Sequence, residues 1–454
     1  MLKQFGMGLS LFCVLGAVAG SAAATVFEHN LKNGMKILVN EDHRAPVVVS
    51  QVWYKVGSSY EANGRTGLSH VLEHMMFKGS KKYQPGEFSK IIAKHGGREN
   101  AFTGKDYTAY FQQLEKSRLV VSMEMEADRM VNLTLPNDEF SKELAVVIEE
   151  RHMRTDDKPR SKTYEQFNAM AFMSSPYSQP IIGWQNDLDN MEIADLQKWY
   201  QQWYSPSNAT LVVVGDVNHK EVFAMAEKHY GVIPARAVEK LKPRKEIKQV
   251  GERRLVVKAP AKLPYLLMGY KVPSLKTAEQ EWEAYALEVL AGILSSGSSS
   301  RFPKRLVRDQ QVAASADTGF NLYARQSEIF LIDATPSAGK DLTVLEDAIL
   351  QQIKDVKTSL VSDKELDSIK AQVVASNVYE RDSIFYQAMQ LGTLETVGLG
   401  WQRLDEYVTK VREVTAEQIQ KVAKKYLVED GLTVAFLIPQ DLKGALNKKT
   451  KSTH

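Results

Sequence analysis

Two segments of the chain, one near its middle and one near its end, follow the same pattern of side chains. They are ADLQKWYQQWYSPSNATLVVVG (residues 194–215) and AEQIQKVAKKYLVEDGLTVAFLI (residues 416–438). Each predicts an amphipathic helix, a short polar turn and a buried strand, and the two superpose with Thr210 on Thr433. A chain that repeats a unit of this kind is constrained to fold as two related domains, each with helices packed on a sheet.

A second echo supports duplication. WYKVGSS (residues 53–59) precedes one predicted helix, and GYKVPSL (residues 269–275) precedes another. Any two helix-then-strand units resemble each other, but two echoes in matching order favour two copies of one domain. Strands and helices also alternate with antiparallel hairpin signals such as Asn33-Gly34. We therefore predict an α+β fold of two homologous α/β-layered domains, and not a doubly wound parallel sheet.

Length and local composition predict the domain boundaries. The chain has 454 residues, of which 44% are hydrophobic and 25% are charged, so it can bury the cores of more than one domain. The charged stretch at residues 235–254 lacks apolar periodicity and predicts a linker. The predicted domains are residues 25–234 and residues 255–445, of which the second is a degenerate copy of the first. A polar tail follows at residues 446–454.

The first 24 residues are typical of a secretory signal peptide. Lys3 supplies positive charge, residues 9–18 are apolar, and residues 22–24 are alanines that predict cleavage before Thr25. The alternative is a membrane anchor, but the apolar run is short for a span. The only cysteine, Cys13, lies inside this run, so the mature chain would have no disulfide and no thiolate metal site. We predict export to the periplasm.

The segment GLSHVLEHMMFKGS (residues 67–80) places two histidines and a glutamate in an otherwise apolar helix. His70 and His74 would lie one above the other and offer two imidazole nitrogens to one metal ion, with Glu73 at the edge of the same face. A hydrolytic zinc site needs three protein ligands and one open position. Glu73 could take a proton from water and pass it to the leaving amine. The alternative is a histidine pair satisfied by hydrogen bonds at a helix surface.

A later predicted helix supplies candidates for the third ligand. Apolar residues recur at helical spacing in NDEFSKELAVVIEERHMRTDD (residues 137–157). Glu143 and Glu150 are two turns apart and share a face, whereas Glu149 is turned about a third of a revolution from Glu150. One acid of this face would bind the metal, and another would hydrogen-bond a ligating imidazole. Acidic residues on a helix are otherwise typical of a solvated surface, so the spacing leaves the choice open.

Four motifs, in order, resemble the inverzincin signature of the pitrilysin and insulinase family, in the branch that includes mitochondrial processing peptidase. They are GLSHVLEHMMFKGS, GGRENAFTGKDYTAYF, ELAVVIEERHMRTDD and WYSPSNATLVVVGDV. The resemblance covers nearly the whole mature chain. It implies His70, His74 and Glu150 as ligands of one zinc ion (Zn2+) per chain, Glu73 as the base and Glu143 as a supporting carboxylate. It also implies a clam-like half-chamber whose inner wall carries the metal.

The segment RENAFTGKDYTAYF (residues 98–111) resembles the substrate-binding edge strand of this family. An exposed edge can add a peptide as an extra strand, and the backbone pairing supplies affinity without demanding a sequence. The alternative is a plain hairpin in which Asn100 and Gly104 are turn residues. The residues at the matching positions of the strand are Asn100, Ala101, Phe102 and Thr103.

Two positions depart from the family pattern. The second repeat should supply an arginine and a tyrosine that hold the substrate carbonyl, but the chain has Val307 and Ala314 there, with Arg308 one position off. The resemblance implies that a paralogous partner subunit supplies both residues, as in heterodimeric members of the family. A homodimer would need substitutes, for which Tyr323 and Arg325 are the nearby candidates.

These features together favour a zinc metallopeptidase that hydrolyses extended or unfolded peptides as an endopeptidase or oligopeptidase. Two other functions are compatible with the sequence: a non-catalytic scaffolding subunit of a larger assembly, and a peptide-binding chaperone that uses only the edge strand. The formal net charge of +3 gives no argument for nucleic acid or an anionic membrane as a partner.

Overall fold

The computed structural model describes residues 25–238 and 241–440. The predicted signal peptide and the predicted polar tail lie outside these residues. Among the helices of the described residues, none combines the length and the apolar character that a membrane span requires. The last two residues of the predicted linker, 253 and 254, belong to a strand. The domain boundaries themselves stay a prediction.

The first half of the chain forms a six-stranded sheet covered by helices. The strands are β1 (Val26–Asn30), β2 (Lys36–Glu41), β3 (Val47–Tyr54), β4 (Arg98–Thr103), β5 (Thr108–Glu115) and β6 (Ala209–Gly215). The helices are α1 (Leu68–Met75), α2 (Glu87–Lys94), α3 (Leu119–Asn132), α4 (Asn137–Arg151), α5 (Pro159–Ala171), α6 (Gln185–Asp189), α7 (Ile193–Trp203) and α8 (His219–His229). One π-helical turn (His152–Asp156) continues directly from α4.

The second half forms a five-stranded sheet with its own helices. The strands are β7 (Arg253–Ala259), β8 (Tyr265–Val272), β9 (Ala313–Gly319), β10 (Glu328–Pro336) and β11 (Leu432–Pro439). The helices are α9 (Glu281–Ser295), α10 (Leu342–Thr358), α11 (Asp363–Glu380), α12 (Ile384–Val397), α13 (Arg403–Glu413) and α14 (Ala416–Tyr426). A π-helical segment (Phe302–Asp309) lies before β9.

The strand orders confirm the predicted repeat. The first sheet runs β1-β2-β6-β3-β5-β4, and the second runs β7-β11-β8-β10-β9. Without β1, the two orders match strand for strand, and in each sheet only the first pair, β2-β6 or β7-β11, is parallel. The register agrees with both sequence echoes, because Thr210 lies opposite Trp53 and Thr433 lies opposite Gly269. The prediction of an α+β fold with two homologous layered domains is therefore confirmed.

The two halves exchange a helix. Helix α5 belongs to the first half in sequence but packs on β7, β8 and β11, and α12 of the second half packs on β3 and β6. Phe167 of α5 lies against Gly269, where an added Cβ would come within 2.8 Å of the ring. Gly392 of α12 lies against Trp53, where an added Cβ would come within 2.0 Å of the indole. Each exchanged helix thus closes a hydrophobic cluster of the opposite sheet.

Candidate metal centre

Helix α1 begins at a tightly defined turn. Gly67 precedes the helix with φ of +91°, and a Cβ there would lie 2.8 Å from the carbonyl oxygen of Ile182. The buried Glu61 carboxylate accepts hydrogen bonds from the backbone N–H groups of Gly67 and Ser69, each at 2.7 Å. These N–H groups have no acceptor within the helix. A negative charge at this end is also stabilised by the positive end of the helix dipole. The start of α1 is therefore held in one place relative to the cleft.

The structure brings His70, His74 and Glu150 together. Their candidate ligand atoms all lie within 4.8 Å of one another. The Nε2 atoms of His70 and His74 lie 3.9 and 3.5 Å from the same oxygen of Glu150, Oε2. The other carboxylate oxygen, Oε1, pairs with the guanidinium of Arg154. One oxygen of Glu150 is thus paired with Arg154, and the other faces the two imidazoles.

The chemistry of this donor set fits zinc. Two imidazoles and one carboxylate are the protein ligands of many hydrolytic zinc sites, and they leave a fourth position open. Burial lowers the pKa of His70 to about 3, helped by the charges of His74 and Arg154. His70 is therefore neutral at physiological pH, which is the form that binds metals. Its Nδ1 atom is buried and has no hydrogen-bond partner among the described residues.

A second carboxylate orients one of the imidazoles. The Glu143 oxygen Oε2 lies 3.2 Å from the Nδ1 atom of His74, and the Lys78 ammonium donates to the other Glu143 oxygen at 2.6 Å. A carboxylate behind a ligating histidine fixes the tautomer and direction of the ring. Glu149, the alternative that the helical spacing left open, has an exposed side chain 3.7 Å from His152. Glu150, and not Glu149, therefore faces the histidine pair.

Glu73 lies beside the histidine pair without joining it. Its carboxylate accepts a short hydrogen bond from the Thr103 hydroxyl, which ties α1 to β4. Burial raises the pKa of Glu73, although the Thr103 hydrogen bond and the charge of His74 oppose this change. A carboxyl with a raised pKa is better matched to taking up a proton near neutral pH than an exposed glutamate is.

Strand β4 forms the outer edge of the first sheet and pairs on one side only, with β5. Asn100 lies inside this strand and not in a turn, because the hairpin turn is closed further on, by a hydrogen bond from the Gly104 N–H to the Tyr107 carbonyl. The residues of the predicted substrate strand line one cleft of about 860 Å³ together with the histidine pair, Glu73 and Glu150. Those residues are Asn100, Ala101, Phe102 and Thr103.

The positions expected to hold an arginine and a tyrosine have apolar side chains. Val307 packs against the core of the second half, and Ala314 is exposed on β9. The neighbouring Arg308 donates to the Ser298 carbonyl at 2.7 Å. Neither position therefore supplies a hydrogen-bonding side chain.

The two candidate substitutes are engaged elsewhere. Arg325 donates to the Asp106 carboxylate at 2.9 Å and to the Ser59 hydroxyl at 2.7 Å, and its guanidinium lies over the Tyr60 ring. Tyr323 lines a different cavity, which belongs to the second half. Arg325 thus fastens the two halves of the chain together.

Three residues that position the site were not predicted from the sequence: Glu61, Lys78 and Arg154. Lys78 follows His74 by four residues, and Arg154 follows Glu150 by four residues, so the helical spacing that paired the histidines could also have found them. Glu61 has no such signal. It reaches the helix start from the preceding loop, and only the folded backbone brings it there.

Comparison with known proteins agrees with the geometry. A family model described as "Insulinase (Peptidase family M16)" matches residues 36–184, and one described as "Peptidase M16 inactive domain" matches residues 190–373. The zinc protease PqqE of Helicobacter pylori is 33% identical over 445 residues, covering 96% of this chain and 98% of that protein.

Solved structures give the same result. The crystal structure of a protease from Helicobacter pylori superposes with a TM-score of 0.87 at 31% identity, and covers 92% of this chain and 100% of that chain. The periplasmic protease PqqL from Escherichia coli shares the fold, with a TM-score of 0.77 at 16% identity over 94% of this chain and 50% of that chain. Similarity of this extent over nearly the full length shows that the chain belongs to the insulinase family of peptidases, M16.

Proposed function

We propose that this protein is a zinc-dependent endopeptidase or oligopeptidase that hydrolyses extended or unfolded peptides. One observation carries the proposal: His70, His74 and Glu150 converge within 4.8 Å in a cleft that also contains Glu73 and an edge strand. The names of the relatives, which are zinc proteases, support it. One zinc ion per chain would be held by these three residues.

When bound, zinc supplies the Lewis acid that polarises a peptide carbonyl and acidifies water. The protein residues supply positioning and proton transfer. Glu73 accepts a proton from the attacking water and delivers it to the leaving amine, and the Thr103 hydroxyl holds the Glu73 carboxylate in place. Glu143 and Lys78 keep the His74 ring directed at the metal position.

The edge strand β4 supplies substrate binding. A peptide that pairs with the free edge at residues 100–103 adds a strand to the sheet, and its backbone runs along the cleft. Backbone pairing is available only to an extended segment, so folded proteins are poor substrates. This arrangement favours cleavage inside a chain or an oligopeptide.

A partner subunit completes the proposed site. Val307 and Ala314 offer no hydrogen-bonding side chain for the substrate carbonyl, and Arg325 is bound to Asp106. A paralogous subunit that carries an arginine and a tyrosine would supply both. A homodimer is the alternative, but a second copy has the same Val307 and Ala314 and would need other side chains to substitute. The signal-like sequence at residues 1–24 supports a periplasmic location for the assembly.

The same two apolar positions favour a second candidate, a non-catalytic scaffolding or peptide-binding subunit. In that case the metal site would serve structure alone. The buried Glu73 counts against it, because a structural zinc site closes its fourth position and has no use for a base.

A fluorogenic peptide assay separates the two candidates. We expect the zinc-loaded protein, with any copurifying partner, to cleave an unstructured peptide, and a chelator to abolish the cleavage. Glu73→Gln should retain one zinc per chain and lose turnover, whereas the exposed Glu149→Gln should keep both. If the wild type binds zinc but cleaves no peptide, with and without its partner, the scaffolding function is the correct one.

A further inference from the structure

The cations that line the metal-bearing cleft differ in how they are neutralised. They are Lys105, Arg154 and Arg160. The Lys105 ammonium lies 3.6 Å from the Glu328 carboxylate, and Arg154 pairs with Glu150. Arg160 makes no ion pair with any carboxylate among the residues that the structure describes; its contacts are a hydroxyl and an aromatic ring.

The acids of the cleft do not balance this charge. Glu165 accepts two hydrogen bonds from Arg151, at 2.7 and 3.0 Å, and is thereby neutralised. Glu150 is assigned to the metal and is already paired with Arg154. Glu73, the third acid that lines the cleft, accepts a hydrogen bond from the Thr103 hydroxyl and makes no ion pair with Arg160. The cleft therefore presents Arg160 to a substrate without an ion-pair partner among the described residues.

Arg160 is held in one direction. It lies in the first turn of α5, and its Nη2 atom donates to the Thr335 hydroxyl at 2.9 Å. The guanidinium carbon lies 4.5 Å from the centre of the Tyr265 ring. Thr335 and Tyr265 are buried residues of the second sheet, so the Arg160 guanidinium contacts two well-packed side chains. One of five N–H donors is used, and the others are available to a ligand.

A nearby acid competes weakly for this guanidinium. Asp333 lies close enough for its charge to interact with Arg160, but not within ion-pair distance. Burial, followed by the charge of Asp317, raises the pKa of Asp333, although a hydrogen bond with Tyr265 and the charge of Arg160 oppose this change. A substrate carboxylate placed directly over Arg160 would be the stronger partner.

We propose that Arg160 forms a carboxylate-binding subsite of the cleft, and that the protein prefers peptides that place a carboxylate there. This inference rests on the proposed peptidase function. A guanidinium presents a planar fork of donors that matches both oxygens of a carboxylate. Tyr164, one helical turn further along α5, and Tyr265 add aromatic walls to the same cleft. The carboxylate can come from an acidic side chain or from the C-terminus of the peptide.

Cleavage rates test the preference. The substrates are quenched fluorescent peptides that differ only by Asp, Asn or Lys at each position around the scissile bond, each made with a free and an amidated C-terminus. We expect kcat/KM to favour one carboxylate position by about ten- to a hundredfold over Lys, as for a charge-assisted hydrogen bond. Arg160→Glu should reverse the order, and Arg160→Met, which keeps the apolar stem, should level it. Lys162→Glu, with the same charge change on α5 but outside the cleft, should retain the wild-type order.

A binding assay removes the dependence on turnover. The Glu73→Gln protein, with and without Arg160→Met, is titrated into the same labelled peptides, and fluorescence anisotropy reports Kd. A preference that disappears on amidation identifies the C-terminal carboxylate, and one that follows Asp identifies a side chain; either supports the subsite. Equal affinities for the Asp, Asn and Lys peptides, free and amidated, would overturn it. Loss of cleavage for all peptides with the anisotropy preference intact would refute the peptidase function alone.

Discussion

The two halves of the molecule contain equivalent cavities that carry different side chains. In the first half, the segment HVLEH (residues 70–74) of α1 lines the cleft of the candidate metal centre. In the second half, EVLAG (residues 288–292) of α9 presents its first, fourth and fifth residues, at the same spacing, to a cavity of about 720 Å³. The edge strands agree as well, because the registers of the two sheets place residues 317–319 where residues 100–102 lie. The backbone is thus repeated, and the side chains are not.

This difference shows that the repeated backbone does not determine which functional side chains a cavity contains. Residues 255–440 contain no histidine, so the second cavity has no imidazole to offer a metal. It contains the half-buried Glu288 instead, whose carboxylate accepts a hydrogen bond from the Tyr407 hydroxyl at 3.4 Å. The same helix and edge strand therefore carry a candidate metal site in one half and a polar cavity in the other, as expected when function depends on a few side chains of a reusable fold.

The largest expected effect is on metal binding. His74→Ala removes one of three ligands, and we expect it to lose stoichiometric zinc and all peptide hydrolysis, since the two remaining ligands cannot complete the site. Glu288→Gln, in the equivalent cavity, should retain one zinc per chain. Zinc content by mass spectrometry after gel filtration measures both. Retention of full zinc by His74→Ala would mean that the metal is bound elsewhere.

The next largest effects are expected from substitutions of the glycines that contact or belong to the exchanged helices. Gly392→Ala places a methyl group inside the Trp53 ring, and Gly269→Ala places one against Ile329 and Phe167. We expect losses of about 3 kcal/mol or more for Gly392→Ala and about 1–3 kcal/mol for Gly269→Ala in the free energy of unfolding, because overfilled cores must shift. Urea titration measures this. Gly319→Ala, where nothing lies within 4 Å of the added Cβ, should be nearly neutral; equal losses at the three positions would contradict the exchange.

A smaller effect should come from the carboxylate behind His74. Glu143→Gln leaves the ring without a charged acceptor, and we expect zinc affinity to fall about ten- to a hundredfold. Competition with a chromogenic chelator measures the change. Glu149→Gln, on the exposed side of the same helix, is the control and should not alter affinity. An unchanged affinity in Glu143→Gln would show that packing alone orients the ring.

The smallest expected effect is on pH dependence. Burial raises the pKa of Glu288 to about 7 from an ordinary value of 4.5, and it does the same for Glu61 in the first half. A carboxyl that holds its proton more firmly when folded contributes stability that is full below pH 4.5 and is lost as the pH rises through about 7. When the pH is raised from 5 to 7.5, the free energy of unfolding of the wild type should therefore fall by about 2 kcal/mol more than that of Glu288→Gln. Parallel curves from urea titrations at each pH would contradict this.

The local parts of the site were predictable. The spacing of His70, Glu73 and His74 fixes their relation within one helix, and the superposition of Thr210 on Thr433 predicted the repeat before any contact was known. The choice between Glu149 and Glu150 was not predictable from spacing alone. It depends on which face of α4 meets α1, and the structure turns Glu150 towards the histidine pair and Glu149 outwards.

The sequence by itself determined the class of fold, the histidine pair and the edge strand, because these follow from helical and strand periodicities that act over a few residues. Only the tertiary structure decided the exchange of α5 and α12, the contact of Glu61 with the start of α1, and the exposure of Arg160 to the cleft without an ion-pair partner in the described part of the chain. These depend on chain segments that are distant in sequence and meet only after the two sheets have packed, and no local periodicity encodes such a meeting.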